Sequence, residues 1–220
     1  RNFDFARVRG GRFLLRIDDI DIGRERPEYE DAILEDLHWL GIKWEEPVRR
    51  QSDHFADYAV ALEKLSDLDI LYACDCSRSK IADFTKDQPN WPRDPDGSPL
   101  YPGFCRELEA EERLHRARRR AFAQRLNMQE AIGLLQGPLG WEEFGEGDHP
   151  RTVSAQPSVW GDVVVGRKDV PASYHVAVVI DDALQGVTDV IRGMDLFEAT
   201  SLHRLLQEML DLRAPCYHHH

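Results

Sequence analysis

The sequence predicts an α/β fold in which short buried parallel strands alternate with amphipathic helices, the whole interrupted by an inserted module. Short apolar or β-branched runs at 12–17 (RFLLRI), 163–165 (VVV) and 187–191 (VTDVI) read as buried strands, the first closing on Asp18 and the last on Arg192. Between and after them lie apolar stripes at helical spacing. Between Tyr72 and Pro157 the composition shifts: most of the prolines fall there, together with Trp91 and Trp141.

Bulk properties narrow the class. A chain of 220 residues buries a real core and holds one domain plus an insertion, or two small domains. With 42% hydrophobic and 31% charged residues it reads as a soluble globular protein. No apolar run reaches membrane-spanning length, and the amino end (RNFDFARVRGG) has no signal-peptide core. A cytoplasmic protein without a membrane partner is therefore expected. The net charge of -12 argues against a protein that coats nucleic acid, yet leaves room for a local basic face.

Taken in order, the first strand ends in Asp18-Asp19-Ile20-Asp21, whose carboxylates are either solvated or matched to a cationic ligand group. Pro27, Glu28, Glu30 and Asp31 open a helix, with proline at its first position and acids at the positive dipole end. Ile33, Leu34, Leu37 and Leu40 form its core-facing stripe, and Gly41 ends it. Gln51-Ser52 leads into a second helix with the stripe Phe55, Tyr58, Ala59, Leu62 and Leu65. Residues 86–103 read as an extended proline-rich loop. A helix over 106–126 carries Arg113, Arg116, Arg118, Arg119, Arg120 and Arg125, either as a face balanced by glutamates or as a contact for RNA phosphates.

The stretch from Pro171 to Leu196 holds the apolar run Val176–Ile180 and then a strand that closes on Arg192. Open α/β sheets bind ligands at the carboxyl ends of their strands, so Arg192 is either a ligand-facing cation or a surface partner of Asp195. Thr200 or Ser201 caps a last helix built on Leu202, Leu205, Leu206 and Met209. The closing Tyr217-His218-His219-His220 is either native or the remnant of a purification tag.

Cysteines stand at 74, 76, 105 and 216 and are expected to be reduced. Three of them form C-x-C…Y-x3-C with Tyr101. Zinc takes four ligands in a tetrahedron, and two thiolates on one tight turn supply half the set. Tyr101, His115, Asp75 or water are the candidates for the fourth place. Cys216 falls outside the cluster.

Two segments in the right order resemble one family. Gly10-Gly11-Arg12-Phe13-Leu14-Leu15-Arg16-Ile17-Asp18-Asp19-Ile20-Asp21 resembles the GGRFLLRIEDTD segment of glutamyl-tRNA synthetases. Tyr174, Asp181-Asp182, Gly186-Val187-Thr188, Ile191-Arg192-Gly193 and Asp195-Leu196 resemble the second half of their catalytic core. The resemblance implies a Rossmann-like class I synthetase core with a parallel sheet, split by a zinc-binding insertion. Residues 1–71 would form the first part of the core, 72–157 the acceptor-stem insertion and 158–220 the second part.

Within that family the C-x-C…Y-x3-C pattern is similar to that of the truncated paralogues that glutamylate the queuosine base of tRNA(Asp). It implies a structural zinc ion held by Cys74, Cys76, Tyr101 and Cys105. The same resemblance implies ATP, with Mg2+, and L-glutamate as substrates. Asp18 would receive the ammonium group, Tyr174 would donate its hydroxyl and Arg192 would clamp a carboxylate, Asp18 being a methylene shorter than the family's glutamate. A monomer without an anticodon-binding domain is implied as well. The family's two ATP signatures would precede Asn2 and follow His220, so the chain as written is expected to activate glutamate poorly. A fragment of a true glutamyl-tRNA synthetase, and an inactive zinc-containing RNA-binding adaptor, are the alternatives.

Overall fold

The computed structural model describes the chain except residues 22, 24, 25, 110, 113–120 and 146–148. It divides into two compact units, Arg1–Ala56 and Asp57–His220. In the first, helix α1 (Asn2–Val8) precedes strand β1 (Leu14–Ile17), helix α2 (Pro27–Trp39) and strand β2 (Glu45–Arg50). The two strands pair in parallel, Leu14 opposite Glu45 and Ile17 opposite Arg50. Pro27 stands at the start of α2 as expected, and Gly41, at φ +71°, closes it by donating its N–H to the His38 carbonyl.

The predicted stripe of α2 is only half realised. Leu34 and Leu37 are partly covered, whereas Ile33 and Leu40 are exposed. Two strands give a sheet only roughly 10 Å wide, enough to cover a seam but not a broad helix face. The acidic turn after β1 is not a purely solvated one either. Asp19 is buried and accepts from both the backbone N–H and the hydroxyl of Ser52.

In the second unit, helix α3 (Phe55–Asp67) buries Tyr58, Ala61, Leu62 and Leu65, with Ala61 in the place expected for Ala59. Strand β3 (Leu71–Cys74) and helix α4 (Arg78–Thr85) follow, then β4 (Ala123–Leu126), helix α5 (Met128–Gly133), β5 (Gly140–Phe144), β6 (Pro150–Ser154) and β7 (Val164–Gly166). Helix α6 (Tyr174–Leu184), β8 (Asp189–Arg192), helix α7 (Ala199–Met209) and β9 (Cys216–His219) complete it. One antiparallel sheet has the order β3-β4-β7. The other has the order β6-β5-β9-β8, with β5, β9 and β8 parallel and β6 an antiparallel edge.

Several local expectations change here. Arg125 lies on strand β4 and not on a helix, because the 123–126 segment pairs with both β3 and β7. Arg113, His115, Arg116, Arg118, Arg119 and Arg120 lie outside the described residues. Thr200 and Ser201 sit inside α7 and do not cap it: the hydroxyl of Ser201 accepts from the Gln156 N–H, and that of Thr200 accepts from Arg192. The closing Tyr217-His218-His219 belongs to the interior strand β9, with Tyr217 buried.

Helices α6 and α7 pack together and bury Val176, Ala177, Val179, Leu202, Leu205 and Leu206, the apolar run Val176–Ile180 being helical. Against this core the Tyr58 hydroxyl donates to the carboxylate of fully buried Asp181 at 2.9–3.0 Å. Among the described residues, no helix is long and apolar enough to cross a membrane.

Candidate functional site

Parallel strands β5, β9 and β8 end together, and the register across β8 and β9 sets Arg192 directly opposite His219. The strand predicted to close on Arg192 does so. Its side chain is partly buried and does not pair with Asp195. It donates instead from Nε to His219 Nε2 (3.1 Å), from Nη1 to His203 Nδ1 (3.1 Å), and from Nη2 to the Leu196 carbonyl (3.2 Å) and Thr200 Oγ1 (2.8 Å). A guanidinium has five N–H groups, so among the described residues these four contacts leave one on Nη1. None of these acceptors is a carboxylate. Burial lowers the Arg192 pKa from its ordinary value, the direction expected of a cation without a carboxylate at contact distance.

The neighbouring imidazoles are kept neutral. Because Arg192 can only donate, His203 Nδ1 is an acceptor, and His203 Nε2–H then donates to His175 Nδ1 at 3.0 Å. Burial, reinforced by the charge on Arg192, holds His203 well below the usual histidine range and His175 down at about 4. Tyr174, the first residue of α6, is half-exposed and sits 6.2 Å, centroid to centroid, from His203. Tyr174 and Arg192 thus share one neighbour. Asp18 belongs to the first unit, where it receives Arg16 Nε at 2.7 Å and keeps much of its surface free.

The cysteine cluster forms where β3 runs out. The sulfurs of Cys74, Cys76 and Cys105 lie within 4.8 Å of one another, the Cys76 and Cys105 sulfurs 3.6 Å apart. The Tyr101 hydroxyl is 3.4 Å from Cys74 Sγ and 3.5 Å from Cys76 Sγ. A tetrahedron with metal–sulfur bonds of about 2.3 Å has edges of about 3.8 Å between sulfurs, and slightly shorter ones to an oxygen. The donor set therefore already has nearly the spacing of a zinc site, with three soft thiols and a phenol.

Arg125 supports the cluster, its Nε 3.4 Å from Cys74 Sγ and its guanidinium 4.0 Å above the Tyr101 ring. At Cys74 burial opposes ionisation, but hydrogen bonds from Tyr101 and Arg125 outweigh it and hold the thiol below its ordinary pKa. Burial pushes Cys105 up to about 11. Asp75, one of the other candidates for the fourth place, lies 3.6 Å from Cys105 Sγ. Cys216 is a separate free thiol.

Sequence reading missed Glu143, His203 and Thr200 at this site. The signal for Glu143 was present in Trp141-Glu142-Glu143: strand alternation puts Trp141 and Glu143 on the buried face and Glu142 outside.

Fold and site together define an α/β ligand-binding core carrying a thiol-rich module. All 220 residues match the family model described as tRNA synthetases class I (E and Q), catalytic domain. The chain is 46% identical to a glutamyl-Q tRNA(Asp) synthetase of Rhodobacter capsulatus over 221 residues, covering 99% of this chain and 77% of that protein. To the glutamyl-Q tRNA(Asp) synthetase of Pseudomonas paraeruginosa it is 38% identical over 218 residues, covering 97% of this chain and 63% of that protein. A solved glutamate tRNA ligase from Elizabethkingia meningosepticum, in complex with its amino acid, superposes with a TM-score of 0.78 at 25% identity, over 99% of this chain and 44% of that one. The chain therefore belongs to the class I tRNA synthetase (E and Q) catalytic-domain family, a family of ligases. It spans less than two thirds of the length of the Pseudomonas relative.

Proposed function

We propose that the protein activates L-glutamate with ATP and passes the glutamyl group to the queuosine base of tRNA(Asp). The observation that carries this reading is Arg192: a partly buried guanidinium at the carboxyl end of a parallel strand, met among the described residues by neutral acceptors, which leave one N–H on Nη1. Such a group favours an anionic ligand, and a carboxylate is the natural one. The names of the relatives point to the same substrate.

In this reading Arg192 holds a glutamate carboxylate by charge and a hydrogen bond from Nη1. Tyr174 donates its hydroxyl to the substrate, and Asp18 receives the ammonium group. The remaining task is to align an α-carboxylate oxygen with the α-phosphorus of ATP, expelling pyrophosphate, with Mg2+ carried by the nucleotide. No side-chain nucleophile is needed. Residues 1–71 and 158–220 serve as the two parts of the core; within 72–157 strands β5 and β6 complete the sheet of β9 and β8, and the rest serves as the contact with the RNA.

Cys74, Cys76, Cys105 and Tyr101 would hold zinc, which would supply a cross-link between the turn at 74–76 and the loop at 101–105. The near-tetrahedral spacing of the donors supports this. The protein is proposed to act as a cytoplasmic monomer.

The test is ATP–pyrophosphate exchange by the full-length protein with glutamate and no tRNA. Glutamate-dependent exchange is expected. Exchange that appears only after tRNA is added would favour a glutamyl-tRNA synthetase, and none under either condition would favour an inactive RNA-binding adaptor.

A further inference from the structure

Three residues stand in a row across neighbouring strands at the carboxyl end of the larger sheet. Arg192 ends β8, His219 ends β9 beside it, and Glu143 lies on β5 opposite Tyr217. Glu143 is almost fully buried, which is costly for a carboxylate unless its lone pairs are matched. They are matched by three N–H groups: the His219 backbone at 2.8 Å, His219 Nδ1 at 2.8 Å and Trp141 Nε1 at 3.0 Å. These hydrogen bonds outweigh the cost of burial and keep Glu143 below the usual glutamate range, so it is an acceptor only.

An acceptor at Nδ1 fixes the tautomer of His219. The proton stays on Nδ1, the Nε2 lone pair faces the other way, and that lone pair receives Arg192 Nε–H at 3.1 Å. We infer that Glu143 is the positioning residue of Arg192, acting through His219 to fix both the angle of the guanidinium and which of its N–H groups remains for a ligand. The inference rests on the reading of Arg192 as the carboxylate clamp. Its electrostatic consequence is equally direct: a buried anion one imidazole away favours the charged state of Arg192, which coulombic attraction to Glu143 raises against desolvation.

Replacing the carboxylate by an amide reverses the chain of acceptors. Glu143 Oε2 receives both His219 Nδ1–H and Trp141 Nε1–H and Oε1 receives the His219 backbone N–H, so in Glu143→Gln the NH2 group meets an N–H at either position. At the Oε2 position His219 relieves the clash by moving its proton to Nε2, where it would face Arg192 Nε–H, donor against donor; at the Oε1 position the NH2 group pushes on the backbone of His219 itself. Arg192 then has to swing away.

The experiment uses the full-length protein with Glu143→Gln, His219→Gln, the double variant and Arg192→Ala. Imidazole 15N shifts report the tautomer of His219, and calorimetry reports L-glutamate affinity. Glu143→Gln is expected to move the protonated nitrogen from Nδ1 to Nε2 and to weaken glutamate about tenfold, as for loss of other partners that orient a liganding group. The double variant is expected to be no weaker than His219→Gln alone, because the effect passes through His219.

Glutamate affinity within about twofold of wild type, with the His219 tautomer unchanged and Arg192→Ala abolishing binding, would overturn the role of Glu143 and leave the clamp standing. Unchanged affinity in Arg192→Ala would instead remove the clamp and, with it, this inference. Should Glu143→Gln fail to fold, His219→Gln carries the test, since Trp141 Nε1 still satisfies Glu143. Wild-type glutamate affinity in that variant overturns the inference.

Discussion

Acidification should destabilise the second unit through its buried histidines before its carboxylates matter. His175 and His203 are both held neutral, His175 at about 4 and His203 well below 6.5, by burial and by Arg192. The groups facing them are Arg192, His219 and the aromatic rings of Tyr174 and Trp160. The sign follows from the depressed values. Between the two pKa values the unfolded chain binds protons that the folded chain refuses, so stability is full above about pH 6.5 and falls as the pH drops.

Near pH 5.5 an unfolded histidine is about 90% charged while His175, held at about 4 in the folded chain, stays neutral, which costs about 1.2 kcal/mol relative to pH 7; His203, also depressed by burial, adds a loss of the same sign. The His175 figure depends on the unfolded value alone, because its folded value lies well below pH 5.5. His175→Asn keeps an acceptor for His203 Nε2–H and removes one titration, so its loss should shrink by about 1.2 kcal/mol. Urea unfolding followed by tryptophan fluorescence suits the measurement, since Trp160 packs edge-on against His175 at 5.7 Å. Equal losses in wild type and His175→Asn would refute the reasoning.

Tyr58→Phe strips the two-oxygen hydrogen bond from fully buried Asp181 and should cost about 1–3 kcal/mol in chemical denaturation; a change within error would mean that Asp181 does not depend on it. Gly140→Ala places a Cβ 2.7 Å from the Val153 carbonyl oxygen, a backbone atom that cannot step aside without parting β5 from β6. Loss of about 1–3 kcal/mol is expected, read as a lowered urea midpoint, and wild-type stability would show that the hairpin gives. For the thiol cluster, metal analysis of Cys74→Ser after purification with zinc should show the bound metal lost, whereas full retention removes Cys74 from the ligand set.

How much of this was legible in the residues varies with the physics of each element. Strand β8 and Arg192 were readable because a short β-branched run closing on a cation is a local pattern. The three cysteines were readable as a cluster, but spacing alone left Tyr101, Asp75, His115 and water open for the fourth place, and only the family resemblance singled out Tyr101. The stripe of α2 was read too generously, because amphipathic spacing says which face is apolar and not how much partner surface there is. The partners of Arg192 were not readable at all. His203 arrives from α7, His219 from β9 and, behind it, Glu143 from β5, and only the strand order β5-β9-β8 brings them together.

The same logic explains why the thiol cluster needs more than its own loop. The Asp162 carboxylate, buried just before β7, receives the Tyr72 hydroxyl at 2.6 Å, Arg106 Nη1 at 3.1 Å and the Met128 N–H at 3.0 Å. Arg125 donates to the Asp162 carbonyl at 2.6 Å while its Nε reaches Cys74. One residue therefore ties β3, β4, the start of α5 and the turn after Cys105 into a single hydrogen-bonded frame. Two of the four metal-type donors are anchored in it, since Cys74 receives Arg125 and Cys105 directly precedes Arg106. The frame sets one wall of the cluster before any metal arrives, while Cys76 and Tyr101 form the other. A bound ion would then order only the remaining wall, so metal loss should loosen the 75–104 segment and spare the β3-β4-β7 sheet. Hydrogen exchange with and without chelator separates the two: deprotection confined to that segment supports the division, and deprotection of β4 and β7 as well would show that the metal holds the whole sheet.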